Sequence, residues 1–139
     1  MPRMLTAPTP AAFERLAAEF SRTLRPGDSV ALEGPLGSGK TAFVAASVRE
    51  LQGADKASSP TFTFWHRYEG SPPINHLDLY RIEDPAEAVE LGLEDAFSPD
   101  AITFVEWPER LPGFMPTGAI RVSLEGAGDS PREIAIERP

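Results

Sequence analysis

One short stretch, "GPLGSGKT" at residues 34–41, constrains the fold of this chain more than any other feature. It satisfies the pattern G-x-x-x-x-G-K-[ST] of a loop that binds phosphate. Such a loop lies between a buried strand and a helix N-terminus, because glycines let backbone N–H groups converge on phosphate oxygens and the helix dipole favours the same anion. "SVALE" before the loop and "TAFVAASVREL" after it predict that strand and that helix. The stretch therefore predicts an α/β fold that binds a nucleotide.

Each position of the loop has a predicted role toward a nucleoside triphosphate. The Lys40 ammonium is expected to reach the β- and γ-phosphates, and the Thr41 hydroxyl is expected to bind Mg²⁺. A glycine turn that binds nothing is the alternative, but average residue usage makes a chance match a roughly one-percent event. The predicted nucleotide-binding positions of the loop are Gly34, Gly37, Ser38, Gly39, Lys40 and Thr41.

Two carboxylates are candidates for the metal and for hydrolysis. Glu106 follows the apolar run "ITFV", and an acidic residue that ends an apolar strand is the usual second anchor of Mg²⁺ beside a phosphate loop. Asp78 lies between two leucines in "NHLDLYR", where a carboxylate must find a cation, a metal or water. A hydrogen-bonded structural aspartate is the alternative interpretation of Asp78.

Other candidates have weaker signals. "SSPTFTF" follows the loop helix at the place where many nucleotide hydrolases sense the γ-phosphate, so the hydroxyls of Thr61 and Thr63 are candidates for contact with Mg²⁺, water or phosphate. Threonines that alternate with phenylalanines are equally typical of a half-buried strand. Trp107 is more typical of a core or rim aromatic than of a ligand contact. His66 and His76 lack a third ligand at metal spacing, and we interpret both as structural.

The remaining patterns predict a mixed sheet flanked by helices within a single domain spanning residues 1–139. Apolar spacing predicts an amphipathic helix over residues 10–24, and a capping box at Asp84 predicts a short helix that ends by Gly92. Residues 61–69 and 74–81 predict an antiparallel pair, and residues 101–107 a buried strand. "AIRVSLE" and "REIAIER" alternate about a turn, which predicts a hairpin at the edge of the sheet.

Composition excludes several classes of function. The formal charge of −8 and the pI near 4.7 oppose direct binding to a nucleic-acid backbone, which depends on clustered lysine and arginine. The absence of cysteine excludes disulfides, thiolate catalysis and cysteine-ligated zinc. No run of eighteen apolar residues and no apolar leader are present, so we expect a cytoplasmic protein without membrane contact.

Four stretches together resemble the TsaE (YjeE) family, the bacterial ATPases of tRNA threonylcarbamoyladenosine synthesis. They occur in the family's order, extend over residues 13–132, and are "GPLGSGKT", "SSPTFTF", "HLDLYR" and "VEWPER". The resemblance implies a P-loop NTPase-like three-layer sandwich with ATP and Mg²⁺ as cofactors. It also implies two partners, TsaB and TsaD, whose complex is reset by ATP hydrolysis. The chain then meets tRNA only indirectly, through those partners.

The resemblance also assigns roles by matching position. It implies that Lys40 and Thr41 hold phosphate and Mg²⁺, and that Glu106 is a Walker-B-like metal carboxylate. Asp78 resembles the residue that supports hydrolysis at the metal, and Thr61 resembles a switch residue. The implied catalytic set is Lys40, Thr61, Asp78 and Glu106, and the implied metal set is Thr41, Asp78 and Glu106.

Two further residues and one departure concern the nucleotide. The resemblance implies that Trp107 lies near the nucleotide and that Arg132 lies against it. The family has an aspartate where this chain has Pro35, so no role for that acid is assigned. The threonine expected near Phe13 is absent, and we therefore assign no adenine contact there.

Three hypotheses about function follow. The first is an ATPase whose activity depends on partner proteins. The second is a nucleotide-gated adaptor without useful hydrolysis. The third is a small-molecule kinase, which the length of the chain disfavours because such enzymes need a lid and arginines that bind the acceptor.

Overall fold

The computed structural model describes residues 2–53 and 64–139. Seven strands within these ranges form one mixed sheet, flanked by three α-helices and two turns of 3-10 helix. The strands are β1 (Arg3–Ala7), β2 (Ser29–Glu33), β3 (Trp65–Tyr68), β4 (Ile74–Asp78), β5 (Ile102–Glu106), β6 (Ile120–Glu125) and β7 (Arg132–Glu137). The α-helices are α1 (Pro10–Ser21), α2 (Lys40–Gln52) and α3 (Pro85–Glu90), and the 3-10 turns are Leu93–Ala96 and Pro108–Arg110.

The sheet has a parallel centre and antiparallel sides. Its strand order is β1-β7-β6-β2-β5-β4-β3, with β2 parallel to both β5 and β6, and β4 parallel to β5. The β3–β4, β6–β7 and β1–β7 pairs are antiparallel. The predicted α/β class with a mixed sheet and flanking helices is confirmed.

The prediction that the last hairpin lies at the edge of the sheet is wrong. β6 pairs with the central strand β2, and β7 is covered on its outer side by β1, for which the sequence predicted no strand. β1 buries only Ala7, and its other four residues are exposed or half-buried. An edge strand of this kind lacks the alternation of apolar and polar residues by which strands are found.

Local capping explains where two helices begin. The Thr9 side chain accepts a hydrogen bond from the Ala12 amide at 3.1 Å, and Pro10 occupies the first turn of α1. Asp84 and Glu87 form the predicted capping box of α3. α1 ends at Ser21, three residues before the predicted end, since Thr23 and Leu24 continue only as tighter turns.

Two hydrophobic cores lie on opposite faces of the sheet. The larger packs α1 and α2 on the sheet through Phe13, Phe20 and Phe43, and the rings of Phe13 and Phe43 meet edge to face at 6.0 Å. The smaller includes Leu77 of β4 and Val105 of β5, together with residues of α3 and the first 3-10 turn. Within the described residues, no helix is long and apolar enough to cross a bilayer.

Candidate functional site

The candidate site lies where the parallel strands β2, β5 and β4 end. The glycine loop leaves β2 and enters α2 at Lys40, while Glu106 ends β5 and Asp78 ends β4. Asp78 and Glu106 are paired in the β4–β5 register. Open α/β sheets bind ligands at the carboxyl ends of their strands, so the topology brings the predicted loop and both predicted carboxylates together at the expected edge.

Two loop positions favour glycine, one for lack of space and the other for its backbone conformation. A Cβ atom at Gly34 would lie 2.6 Å from the carbonyl oxygen of Leu124 and 2.6 Å from the Ser38 hydroxyl oxygen. Gly39 has a φ of 106°, and a Cβ there would lie 3.0 Å from the Phe13 ring. The loop therefore has the close backbone packing of a phosphate cradle.

The loop and helix also offer polar groups to an anion. The first amides of α2 have no acceptor within the helix, and its hydrogen bonds begin where the Phe43 amide donates to the Gly39 carbonyl oxygen at 2.8 Å. The Ser38 hydroxyl is buried and has no hydrogen-bond partner among the described residues. These donors, with the helix dipole, suit a phosphate group.

Lys40 is buried at the start of α2 with its ammonium inside the loop. Its Nζ donates to the carbonyl oxygens of Gly34 at 2.6 Å and Pro35 at 3.0 Å, and lies 3.9 Å from the centre of the Trp107 ring. Burial lowers the pKa of Lys40, and the nearby carboxylates of Glu106, Glu109 and Asp78 oppose that shift. The ammonium is therefore a desolvated cation, and such a cation attracts an anion strongly.

Thr41 and Glu106 face each other across the loop. Thr41 Oγ1 lies 3.0 Å from both carboxylate oxygens of Glu106, to which it donates. Glu106 is 3% exposed. A hydroxyl beside a buried carboxylate is the donor set that P-loop proteins present to Mg²⁺, so the residues present fit the predicted metal.

His76 is a second neighbour of Glu106, and the sequence did not predict this contact. Its Nε2 lies 2.5 Å from Glu106 Oε2, and its side chain is fully buried. His76 precedes Asp78 by two residues on β4, and this strand period puts both side chains on one face. That spacing indicates a face shared with Asp78, but it does not by itself indicate contact with Glu106 on the neighbouring strand.

Asp78 is half-buried beside this pair. Its Oδ1 accepts a hydrogen bond from the Tyr80 amide at 3.0 Å. Burial raises the pKa of the Asp78 carboxyl and Glu106 adds to the rise, against the lowering effects of the Tyr80 amide, His76 and Lys40. A carboxylate with a raised pKa at the edge of a phosphate loop is suited to accept a proton.

Trp107 packs against the smaller core and also covers the lysine. Its φ of 59° is in the left-handed region, which turns the chain sharply after Glu106. The Trp107 ring lies 4.8 Å from the Tyr80 ring, and its centre lies 3.9 Å from Lys40 Nζ and 6.0 Å from the guanidinium carbon of Arg110. The structure thus places this residue in the site as well as in a core, although its sequence pattern was more typical of a core or rim aromatic.

A cavity of about 140 Å³ lies on the other side of the loop. Thr9 and Phe13 line it from the N-terminal side, Gly39 and Ala42 from the loop and α2, and Ser130 from the β6–β7 connection. No sequence signal indicated this cavity, because its walls come from segments that meet only in the fold. The sequence also failed to predict that Thr9, four residues before Phe13, lies at its wall.

Arg132 connects β7 to the loop. Its Nε donates to the Ser38 carbonyl at 2.9 Å and its Nη2 to the Gly37 carbonyl at 3.3 Å. The same guanidinium donates to Ser130 at 2.7 Å and to Gly128 at 3.1 Å. Arg132 therefore lies at the cavity wall with its hydrogen bonds directed to the carbonyl side of the loop.

The predictions for Thr61 and Thr63 concern residues outside the described ranges.

Comparisons with known proteins agree on one family. The family model described as "Threonylcarbamoyl adenosine biosynthesis protein TsaE" matches residues 7–134. The chain is similar to the tRNA threonylcarbamoyladenosine biosynthesis protein TsaE of Bacillus subtilis (strain 168), with 37% identity over 126 residues that cover 90% of this chain and 77% of that protein. The protein of the same name from Nostoc sp. is 39% identical over 122 residues, covering 84% of this chain and 74% of that protein.

A solved structure shares the fold. The crystal structure of Bacillus subtilis YdiB matches with a TM-score of 0.76 and 29% sequence identity, covering 98% of this chain and 86% of that chain.

Proposed function

The chain belongs to the TsaE family of threonylcarbamoyl adenosine biosynthesis proteins, and we propose that its part in that synthesis is magnesium-dependent hydrolysis of ATP. One observation carries the proposal: the Thr41 hydroxyl lies 3.0 Å from both oxygens of the buried Glu106 carboxylate, at the start of the helix that follows the glycine loop. Thr41 and Glu106 would supply oxygen ligands of the kind that Mg²⁺ prefers.

The residues that would hold Mg-ATP are those of the loop and of the strand end beside it. Lys40 would exchange its two carbonyl acceptors, on Gly34 and Pro35, for phosphate oxygens. Thr41 and Glu106 would hold the metal. When bound, Mg-ATP supplies the phosphoryl group to be cleaved and a divalent charge that neutralises its oxygens.

Asp78 would orient the attacking water and accept its proton at the carboxylate. Its pKa is raised chiefly by burial, so it accepts a proton more readily than an exposed aspartate would. Its position beside Glu106 in the β4–β5 register supports this role. The cavity between Thr9 and Ser130 would receive the adenine base, since it lies across Gly39 from the metal side.

The resemblance to the family supplies the partners of this proposal, TsaB and TsaD, in the cytoplasm. Hydrolysis would reset the complex of these two proteins between turnovers. The formal charge of −8 agrees with a subunit that leaves contact with tRNA to its partners.

Phosphate release tests the proposal. The purified chain is mixed with TsaB, TsaD and Mg-ATP, and release is compared with that of the Glu106→Ala and Asp78→Ala variants. We expect release that requires magnesium and is lost in both variants, together with tRNA modification. No release above background would contradict the proposal, and unimpaired modification by both variants would favour the adaptor. Transfer of phosphate to a metabolite, detected by mass spectrometry, would favour the kinase.

A further inference from the structure

We propose that His76 is a positioning residue, which holds the Glu106 carboxylate in the orientation that faces Thr41 and thereby sets the affinity of the site for Mg²⁺. The inference rests on the proposed function, because the metal pair is that of the proposed ATPase. His76 has no place in the mechanism above, and its spacing gives it no role as a metal ligand.

The geometry of the contact is the first step. His76 Nε2 lies 2.5 Å from Glu106 Oε2, while the Thr41 hydroxyl lies 3.0 Å from both oxygens of the same carboxylate. Glu106 is thus held between the ring on one side and the hydroxyl on the other. A carboxylate with two hydrogen-bond partners loses freedom to rotate away from the metal position.

The direction of the hydrogen bond is the second step. An ionised carboxylate only accepts, so the contact with Oε2 is a hydrogen bond when Nε2 of His76 carries the hydrogen and donates it. The other ring nitrogen, Nδ1, is buried without a hydrogen-bond partner in the described part of the chain. A hydrogen on Nδ1 would have no acceptor there, so this environment selects the tautomer that serves Glu106.

The packing of the ring is the third step. The His76 side chain is fully buried, and its ring lies 6.4 Å from the Tyr68 ring at an angle of 28°. β4 is hydrogen-bonded on both sides, to β3 and to β5. Because the ring is fixed by the sheet, its hydrogen bond limits the orientations that the Glu106 carboxylate can adopt, as hydrogen-bond partners of metal ligands do at metal sites.

Magnesium dependence of nucleotide binding tests the role. The affinity for a nonhydrolysable ATP analogue is measured by calorimetry across a range of Mg²⁺ concentrations and in EDTA. For His76→Leu we expect a rise of about tenfold in the Mg²⁺ concentration that gives half of the increase in analogue affinity. A change of this size is within the range seen when a hydrogen-bond partner of a metal ligand is removed. The affinity in EDTA should be unchanged. His76→Gln keeps a donor at nearly the same reach and should restore the magnesium dependence to within about threefold of the unmodified protein.

The chain has two histidines, and the second is a matched control. His66 is directly opposite His76 in the β3–β4 register, and its ring stacks on Tyr68 at 4.4 Å. His66→Leu should therefore leave the magnesium dependence unchanged. If His66→Leu and His76→Leu shifted it equally, the effect would belong to packing around Tyr68, and the proposal would be wrong.

A double-mutant cycle shows whether His76 acts through Glu106. If it does, His76→Leu should add nothing to the magnesium defect of Glu106→Gln. Additive effects would overturn the proposal.

Nitrogen NMR of the histidine rings in the unmodified protein tests the contact without any need for a variant to fold. We expect a hydrogen on Nε2 of His76, and a ring with hydrogen on Nδ1 alone would contradict the contact. Absence of magnesium-dependent binding in the unmodified protein would instead contradict the proposed ATPase, while the NMR result would still decide the hydrogen bond.

Discussion

The two sides of the glycine loop are built differently. On one side, the parallel strands β4 and β5 end in Asp78 and Glu106, and buried ionisable groups are hydrogen-bonded side chain to side chain. On the other side, β1, α1 and the β6–β7 connection enclose a small cavity, and Arg132 donates to main-chain carbonyls. The parallel side therefore gathers buried ionisable side chains at one edge of the sheet, whereas the antiparallel side supports and encloses the loop.

The largest effect is expected on the parallel side, from Glu106→Gln. The amide keeps the size of the side chain but removes the charge that a metal needs, so we expect a loss of about 10²–10³-fold in kcat, as when one electrostatic group is removed from a transition state. Phosphate release with partners present measures it. Glu90→Gln, at an exposed carboxylate at the end of α3, should change kcat by less than about twofold and serves as the control.

Asp78→Asn should produce the next largest effect. Removing a general base typically costs about 10²-fold or more, and nucleotide affinity should be retained because Asp78 lies beside the loop rather than in it. Steady-state kinetics and calorimetry separate the two quantities. Asp100→Asn, at an exposed position, is the control. Equal losses of kcat and affinity would show that Asp78 holds nucleotide.

The pH dependence of kcat/KM should follow the shifted groups. Asp78 must be ionised to accept a proton and its pKa is raised by burial, so the rate should fall with decreasing pH at a higher pH than an ordinary aspartate would require. Lys40 must be protonated and its pKa is lowered by burial, so the rate should fall with increasing pH below the range of an ordinary lysine. Asp78→Asn should remove the acidic fall and leave the alkaline one.

The ionised Asp78 carboxylate should lower the stability of the folded protein at neutral pH. Because the folded state raises the pKa of Asp78, the folded protein binds that proton more tightly than the unfolded chain does, and stability is lost as pH rises through the folded pKa. Asp78→Asn should therefore raise Tm slightly at pH 7. The difference should shrink at acidic pH, and a lower Tm at pH 7 would contradict this account.

A smaller effect is expected on the antiparallel side, from Arg132→Lys. Lysine cannot reproduce the fork that reaches the carbonyls of Ser38 and Gly37, so the loop loses support. One or two lost hydrogen bonds should weaken ATP binding about five- to tenfold, with kcat nearly unchanged. Arg138→Lys is the control, since Arg138 contacts Phe20 and Thr23 instead. A large loss of kcat would show that Arg132 acts in the reaction.

The smallest effect is expected from Thr9→Ala, at the wall of the cavity. The loss of the N-cap of α1 should cost about 1 kcal/mol of stability and lower Tm by about 2–4 °C. Nucleotide affinity should change by less than about threefold, the scale of one weak contact. Thr9→Ser keeps the cap and should keep Tm. A fall in affinity without a fall in Tm would show that the Thr9 hydroxyl contacts the base directly.

The sequence predicted the parallel side well because its residues lie in short, local patterns. Gly34, Lys40 and Thr41 are close in the chain, and Glu106 ends an apolar run, so strand and loop signals were enough to bring them to one edge. The antiparallel side has no such pattern. β1 buries one residue of five and pairs with β7, which begins more than a hundred residues later.

The contact of His76 with Glu106 shows a second limit. Its geometry depends on the register in which Asp78 is paired with Glu106, and a single sequence does not specify that register. The contacts of Trp107 and Arg132 show a third limit, because they depend on the direction in which each side chain leaves the backbone. Trp107 has a φ of 59°, and no pattern in the sequence indicates it.

The bond from Arg132 to the Ser38 carbonyl spans 94 residues of chain. During synthesis on the ribosome the glycine loop emerges well before β7, and β1, which emerges before the loop, has no partner strand until β7 is made. Before β7 is made, the chain therefore lacks the β1–β7 pair and the hydrogen bonds from Arg132 to the glycine loop. We therefore expect the chain to gain its full affinity for ATP only after β7 has been synthesised.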